Sequence, residues 1–253
     1  MTAKALLSAL GLWTRQPKAM LFLNLAWAVV AYAGIGSAAK LLNLAAPTGL
    51  TQIVAIALLL TVWLAFSWML RAIAQMDRGQ RFSVSAARTW WKDAWAPRLV
   101  FALAWIEASL VLGSYLLRSD LAGLPKPFFG LGVAAWVWWT LGALLSAGLD
   151  APLDQPPWAA QKSGLLAAVA FLPTSLALAA VTIYVSGPVA ILADRAQWWS
   201  RLFWIPLIAA PVFTPSFYAA YVYFLAQGIK DKAQGRQPLE GAPTIKEIMR
   251  PWR

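Results

Sequence analysis

Thr51–Leu70 reads TQIVAIALLLTVWLAFSWML, twenty residues without one charge, closed by Arg71. An α-helix rising about 1.5 Å per residue needs roughly twenty apolar residues to cross about 30 Å of hydrocarbon. The stretch is too long and too uniformly apolar for a strand, and it shows no polar face to turn towards water. It therefore predicts a membrane-spanning helix. Five other blocks have a similar length and character, at 19–39, 98–117, 128–149, 164–185 and 202–226. The expected fold class is an all-α membrane protein. It is a six-transmembrane-helix bundle with short interfacial amphipathic helices on the cytoplasmic side. The 253 residues leave no room for a separate soluble unit, so 1–253 is read as one polytopic domain.

Composition agrees. Hydrophobic residues make up 60% of the chain and charged residues 12%, about half the charge content of a soluble domain. A net charge of +11 on a soluble protein would point to nucleic acid. Here the basic residues sit between spans, where loops retained in the cytoplasm gather Lys and Arg. With the N-terminus inside, segments 1–18, 71–98, 150–163 and 228–253 hold sixteen of the 21 basic residues, and the outer loops hold five. Six spans, both termini cytoplasmic and a bacterial inner membrane follow as expectations. Residues 228–253 become a cytoplasmic tail. Small residues before Lys40 resemble a signal-peptide cleavage site, but the segment ahead of the first apolar core is long for one, and the block is read as a span.

The chain has no Cys and no His. Disulfides and Ser–His or Cys–His nucleophile pairs are thereby excluded. Zinc, haem and iron–sulfur ligation become improbable on the same ground. No carboxylate cluster stands in for them. The reading is a protein that is not an enzyme, with no cofactor and no metal site. The expected partners are the lipid bilayer and other membrane proteins, not nucleic acid.

Several features qualify as candidate sites. Glu107 is the single ionisable side chain well inside a span, which by default marks a pathway or ligand contact. Thr140, Thr174, Ser175, Thr182 and Thr214 are polar groups in the last three spans, two of which contain proline. Proline-broken helices expose backbone to a solute. Ser186-Gly187-Pro188 interrupts the apolar run from 164 to 193 and is the expected break. Pro206, Pro211 and Pro215 are expected to kink the last span. Asp194, Arg195, Trp198 and Trp199 form an outer rim. On the inner side, Ser83 is a plausible N-cap for a helix whose Val84, Ala87, Trp91 and Trp95 share a face. Basic Arg78, Arg81, Arg88 and Lys92 lie around it as candidate contacts to a partner or anionic lipid. The first span ends in Gly34-Ile35-Gly36-Ser37-Ala38, whose small residues let a neighbouring helix approach closely.

The block 59–117 resembles the YesL-like family of small bacterial integral membrane proteins. The resemblance rests on Met69-Leu70-Arg71, Arg78-Gly79-Gln80, Phe82-Ser83-Val84 and Thr89-Trp90-Trp91-Lys92, with Tyr221-Val222-Tyr223 closing the last span. Such proteins are often encoded beside carbohydrate-uptake ABC transporters, so the resemblance implies an accessory or regulatory role in that uptake. A second stretch, Ala159-Ala160-Gln161-Lys162-Ser163-Gly164 followed by Leu172-Pro173, is similar to the ATPase-docking loop of ABC importer permeases. Trp158 stands where that loop carries Glu. On this resemblance Ala159, Ala160 and Gly164 are candidate contacts to ABC transporter subunits. Two functions follow as expectations. One is a non-enzymatic accessory or regulatory membrane subunit of a transport assembly. The other is a stand-alone small-solute carrier with Glu107 near its pathway.

Overall fold

In the computed structural model the stretch that opens the sequence reading lies within one helix. The structure describes residues 1–42, 49–80, 98–108, 111, 126–152, 154, 156–193, 199–239, 243–244 and 247. They form helices α1 (Thr2–Arg15), α2 (Pro17–Leu42), α3 (Gly49–Asp77), α4 (98–108), α5 (Lys126–Asp150), α6 (Pro157–Ala170), α7 (Leu172–Ala193) and α8 (Trp199–Ala233). No strand occurs among the described residues. Two helices, Gly49–Asp77 and Gly130–Asp150, are long and apolar enough to cross a membrane. The pair Pro157–Ala170 and Leu172–Thr182 would count as a third if read as one broken span.

Helix α3 has 29 residues, a length of about 44 Å, so it outruns the hydrocarbon. Its two ends differ accordingly. Leu50, Ile53 and Val54 near its start are exposed, while Met69, Leu70, Ala72, Ile73, Ala74 and Met76 near its end are buried. Exposed aliphatic side chains are ordinary on a surface that faces lipid. The last three turns are instead covered by protein. The cover is α8, buried continuously from Tyr218 to Ala226, and an all-round apolar helix belongs in the middle of a bundle. It packs against α1, α2, α3, α5 and α7. Helix α1 is not a free interfacial helix: Ala5, Ser8, Ala9 and Leu12, spaced three and four apart, are buried where it lies along α8.

Small residues set the closest approaches. A Cβ on Gly34 would come within 3.2 Å of the Leu58 carbonyl oxygen, so α2 and α3 pack nearly backbone to backbone, as the Gly34–Ala38 run led us to expect. At Gly164 of α6 a Cβ would lie 2.5 Å from the backbone nitrogen of Ser146 on α5. The Ser146 hydroxyl donates to the Gly142 carbonyl (2.6 Å) or the Gln161 carbonyl (3.1 Å) at the same crossing.

The apolar run 164–185 is not one straight helix in the structure. Helices α6 and α7 meet at a bend of 99°, and the break falls at Phe171, not at Ser186-Gly187-Pro188. Pro173 is the physical reason. Its ring displaces the carbonyl of residue 169 and it has no N–H to donate, so it is tolerated only in a first helical turn. Leu172 before it is steered away from a continuing helix. The Phe171 carbonyl accepts from the N–H groups of Thr174 (2.9 Å) and Ser175 (3.0 Å), which starts α7 afresh. Helix α7 then runs through 186–188 without interruption. It lies antiparallel to α8, with Phe171 beneath the Lys232 ammonium, 5.5 Å from the ring centre. Further along, the Thr182 hydroxyl is 2.8 Å from that of Tyr218. Helix α6 is thus a separate short element packed antiparallel along α5, ahead of the segment that returns along α8.

Helix α8 is continuous despite its prolines. The Ser216 N–H, next to Pro215, donates to the Asn24 side-chain oxygen of α2 at 2.6 Å. A neighbouring helix thereby satisfies a backbone group beside a proline in an apolar interior.

Candidate functional site

The polar side chains collect where the C-terminal ends of α3, α5 and α8 meet helix α1. Each of these helices leaves its apolar stretch and turns polar within a few residues, at Asp77-Arg78, Asp150 to Asp154 and Lys230-Asp231. Packing α8 centrally brings those junctions together. They border an open recess of about 560 Å³, within the range of small-molecule sites. Arg15 and Ser8 of α1, Asp77 and Arg78 after α3, Asp154 of the α5–α6 connection, and Tyr223, Gln227 and Asp231 of α8 line it, with Arg236 from the tail.

The links across it are specific. Arg78 donates to Asp154 at 2.6 Å, and Lys230 lies 3.4 Å from the second Asp154 oxygen. Burial alone would push the Asp154 carboxyl up, but the hydrogen bond and charge of Arg78, with Lys230 behind, hold it below the ordinary carboxylate value. The hydrogen bond to Asp154 pushes the Arg78 guanidinium up, so it stays charged throughout. The Tyr223 hydroxyl donates to Asp77 at 3.0 Å. Gln227 donates to the Gly148 carbonyl at 3.1 Å. The Leu239 N–H donates to Asp231 at 3.2 Å, folding the start of the tail back onto α8. On the other side, Lys4 of α1 donates to the Pro238 carbonyl at 3.3 Å. The N-terminal helix and the tail therefore sit at the same end of the bundle.

A second polar cluster lies nearby. Arg98 of α4 and Asp150 of α5 form a two-pronged pair at 2.6 and 3.1 Å, with side chains 9% and 15% exposed. It borders a recess of about 40 Å³ between α3, α4, α5 and α6, room for a water or so. Arg71 donates to the Ala151 carbonyl at 2.7 Å, tying α3 to the same connection.

The residues singled out in the sequence fall into several groups. Glu107 lies on α4 with an exposed side chain and lines neither recess. Thr140 and Ser175 each carry a buried hydroxyl without a hydrogen-bond partner, and Thr174 is half-buried nearby on the first turn of α7. Thr182 donates to the Leu178 carbonyl at 2.7 Å, or shares its proton with Tyr218. The structure does not draw these groups into one polar path. Ala160 and Gly164 are buried against α5, so they are packing residues and not free contacts; Ala159 is exposed. Of the inner basic residues, Arg78 is in the recess. Arg81, Arg88 and Lys92, with the helix expected around them, lie outside the described residues. Asp194, Arg195 and Trp198 also lie outside them, as do the side chains of Trp199 and Thr214.

Sequence reading missed most of the recess. Asp77 and Asp231 resemble ordinary solvated charges at helix ends, and Tyr223 resembles a belt aromatic. Asn24 sits in an apolar block and drew no notice, yet it is fully buried. Its polar side chain in a span was the available signal. Among the described residues no group of three carboxylates is placed to hold a metal ion.

No protein-family model, curated protein or solved structure matches this chain.

Proposed function

We propose that this chain is a six-span protein of the bacterial cytoplasmic membrane with both termini in the cytoplasm. In this reading it serves as a non-enzymatic accessory or regulatory subunit of a transport assembly linked to carbohydrate uptake. The observation that carries the reading is α6. It is a 14-residue helix bent 99° from the next and sealed on one side against α5 through Ala160 and Gly164. Its other side presents Trp158, Lys162, Leu166 and Val169, all exposed, at a spacing that puts them on one face. A rigidly seated short helix with an aromatic, basic and aliphatic face suits contact with a partner subunit. Ala160 and Gly164, which carry the resemblance of 159–164 to the ATPase-docking loop, face α5, so Trp158 and Lys162 take their place as the proposed contacts. The position of Glu107 outside both recesses favours this reading over a carrier.

The test is affinity purification of the full chain from its native membrane in mild detergent, with the co-purifying proteins identified. Recovery of a transport ATPase and permease in stoichiometric amounts, lost at least tenfold on Trp158→Ala/Leu166→Ala in a variant of unchanged melting behaviour, is the expected result. Recovery of the chain without transporter subunits refutes the proposal.

A further inference from the structure

We infer that the recess between α1, α3 and α8 binds a phosphate group, held between the guanidinium groups of Arg15 and Arg236. The argument is an inventory of charge partners. Three aspartates line the recess and each is engaged: Asp154 by Arg78 and Lys230, Asp77 by the Tyr223 hydroxyl with the charges of Arg15 and Arg78 close by, and Asp231 by the Leu239 N–H. The cations are not matched in the same way. Arg78 and Lys230 share Asp154. Arg15 has only its Nε committed, to the Gly11 carbonyl of its own helix at 3.1 Å. The Arg236 side chain makes no hydrogen bond or ion pair with the described residues, although it lines the same recess. Both are exposed. Arg15, Arg78 and Arg236 of the lining balance Asp77, Asp154 and Asp231, and Lys230, bonded to Asp154 beside the recess, adds one positive charge.

A guanidinium offers a planar fork of donors that matches the oxygens of a phosphate and, unlike an ammonium, engages two of them at once. Two exposed forks whose Nη donors make no hydrogen bond to the described residues line a recess of this size and leave room for a phosphate ester. The carboxylates do not oppose it as a block. Asp154 is neutralised by two cations, and the Asp77 and Asp231 charges are partly met by hydrogen-bond donors. The recess also lies where apolar helices give way to polar chain, the depth at which phospholipid headgroups sit. The phosphate can therefore come from an anionic headgroup or from a free phosphorylated solute. The inference does not depend on the transport role proposed above.

The experiment uses the full chain in nanodiscs. Inorganic pyrophosphate is titrated calorimetrically into protein held in phosphatidylcholine alone. In parallel, protein from vesicles of phosphatidylcholine with one-fifth phosphatidylglycerol is examined by native mass spectrometry for retained lipid. The variants are Arg15→Gln/Arg236→Gln and, as a charge-matched control outside the recess, Lys18→Gln/Lys162→Gln. If pyrophosphate binds the native chain, is weakened at least tenfold by the arginine variant and stays within twofold in the control, a free phosphate is the ligand. If pyrophosphate fails but phosphatidylglycerol is retained by the native chain and control and lost from the arginine variant, the ligand is a headgroup. Absence of both, or equal loss in the control, overturns the inference. Should the Gln variant fail to fold, Arg15→Lys/Arg236→Lys keeps the charges and removes the forks. It is expected to bind several-fold more weakly, and undiminished binding would overturn the inference.

Discussion

Replacing Gly164 by alanine adds one methyl group at the tightest crossing in the described structure. The new Cβ would collide with the Ser146 hydroxyl and lie 2.5 Å from its backbone nitrogen and 2.7 Å from its Cα. A hydroxyl rotates aside, but the two backbone atoms belong to α5 and move only with the helix. Overpacking a filled interface costs about 1–3 kcal/mol, and a backbone obstacle puts this case at about 2–3 kcal/mol. For a chain of this size each kcal/mol moves the unfolding midpoint by roughly 2–4 °C. Gly164→Ala should therefore lower it by roughly 4–12 °C. The assay is loss of the monodisperse peak in fluorescence-detected size-exclusion chromatography after heating in detergent, with native and variant protein scanned at one rate because such midpoints are kinetic. Ser146→Ala/Gly164→Ala removes the hydroxyl but neither backbone atom, and should recover only a minor part of the loss. An unchanged midpoint in Gly164→Ala, with loss of a co-purifying partner instead, would refute the reasoning. Gly164 would then face outward and serve as a docking residue.

Four further outcomes are expected. Asn24→Leu removes the side-chain acceptor of the buried Ser216 N–H and should cost about 0.5–1.5 kcal/mol, read in the same heating assay; no change would mean the proline region of α8 needs no outside partner. Arg98→Gln or Asp150→Asn breaks a largely buried two-pronged pair and should cost about 1.5–3 kcal/mol, so either variant should be less well recovered as folded protein. Full recovery of both would remove the pair from the account of how α4 is held. The Asp154 carboxyl titrates below its ordinary value when folded, so its contribution is fully present above the unfolded value of about 3.9 and is lost as pH falls through the lower folded value. The pair is exposed and contributes about 1 kcal/mol or less. The stability difference between native protein and Asp154→Asn should be small and constant from about pH 5 to 8 and vanish as the pH falls through the lowered folded value; a difference growing at low pH would contradict the assignment. Glu107→Gln alters an exposed side chain and should change stability by less than about 0.5 kcal/mol, and a clear drop would show that Glu107 is packed.

Residue type and spacing along the chain determine whether a segment can cross lipid, and Thr51–Leu70 and 128–149 were legible for that reason. Hydropathy depends on a segment's own atoms, and so does the tolerance of proline in a first turn. The choice of Pro173 over Pro188 as the break was not local. Both residues carry the same backbone restriction, and the bend falls where α6 is held along α5 by Gly164 on Ser146 while α7 returns along α8. Tertiary structure also decided the fate of the polar residues. Glu107 looked like the site because a charge in a span is costly wherever it points, yet its direction depends on how α4 is rotated against Trp63, whose ring stacks 4.5 Å from Trp105. Asp77, Asp154, Tyr223 and Asp231 are separated by up to 154 residues and look unremarkable one at a time. They become a recess because α8 is buried among α1, α3 and α5, and burial of a helix on all sides is a property of its neighbours.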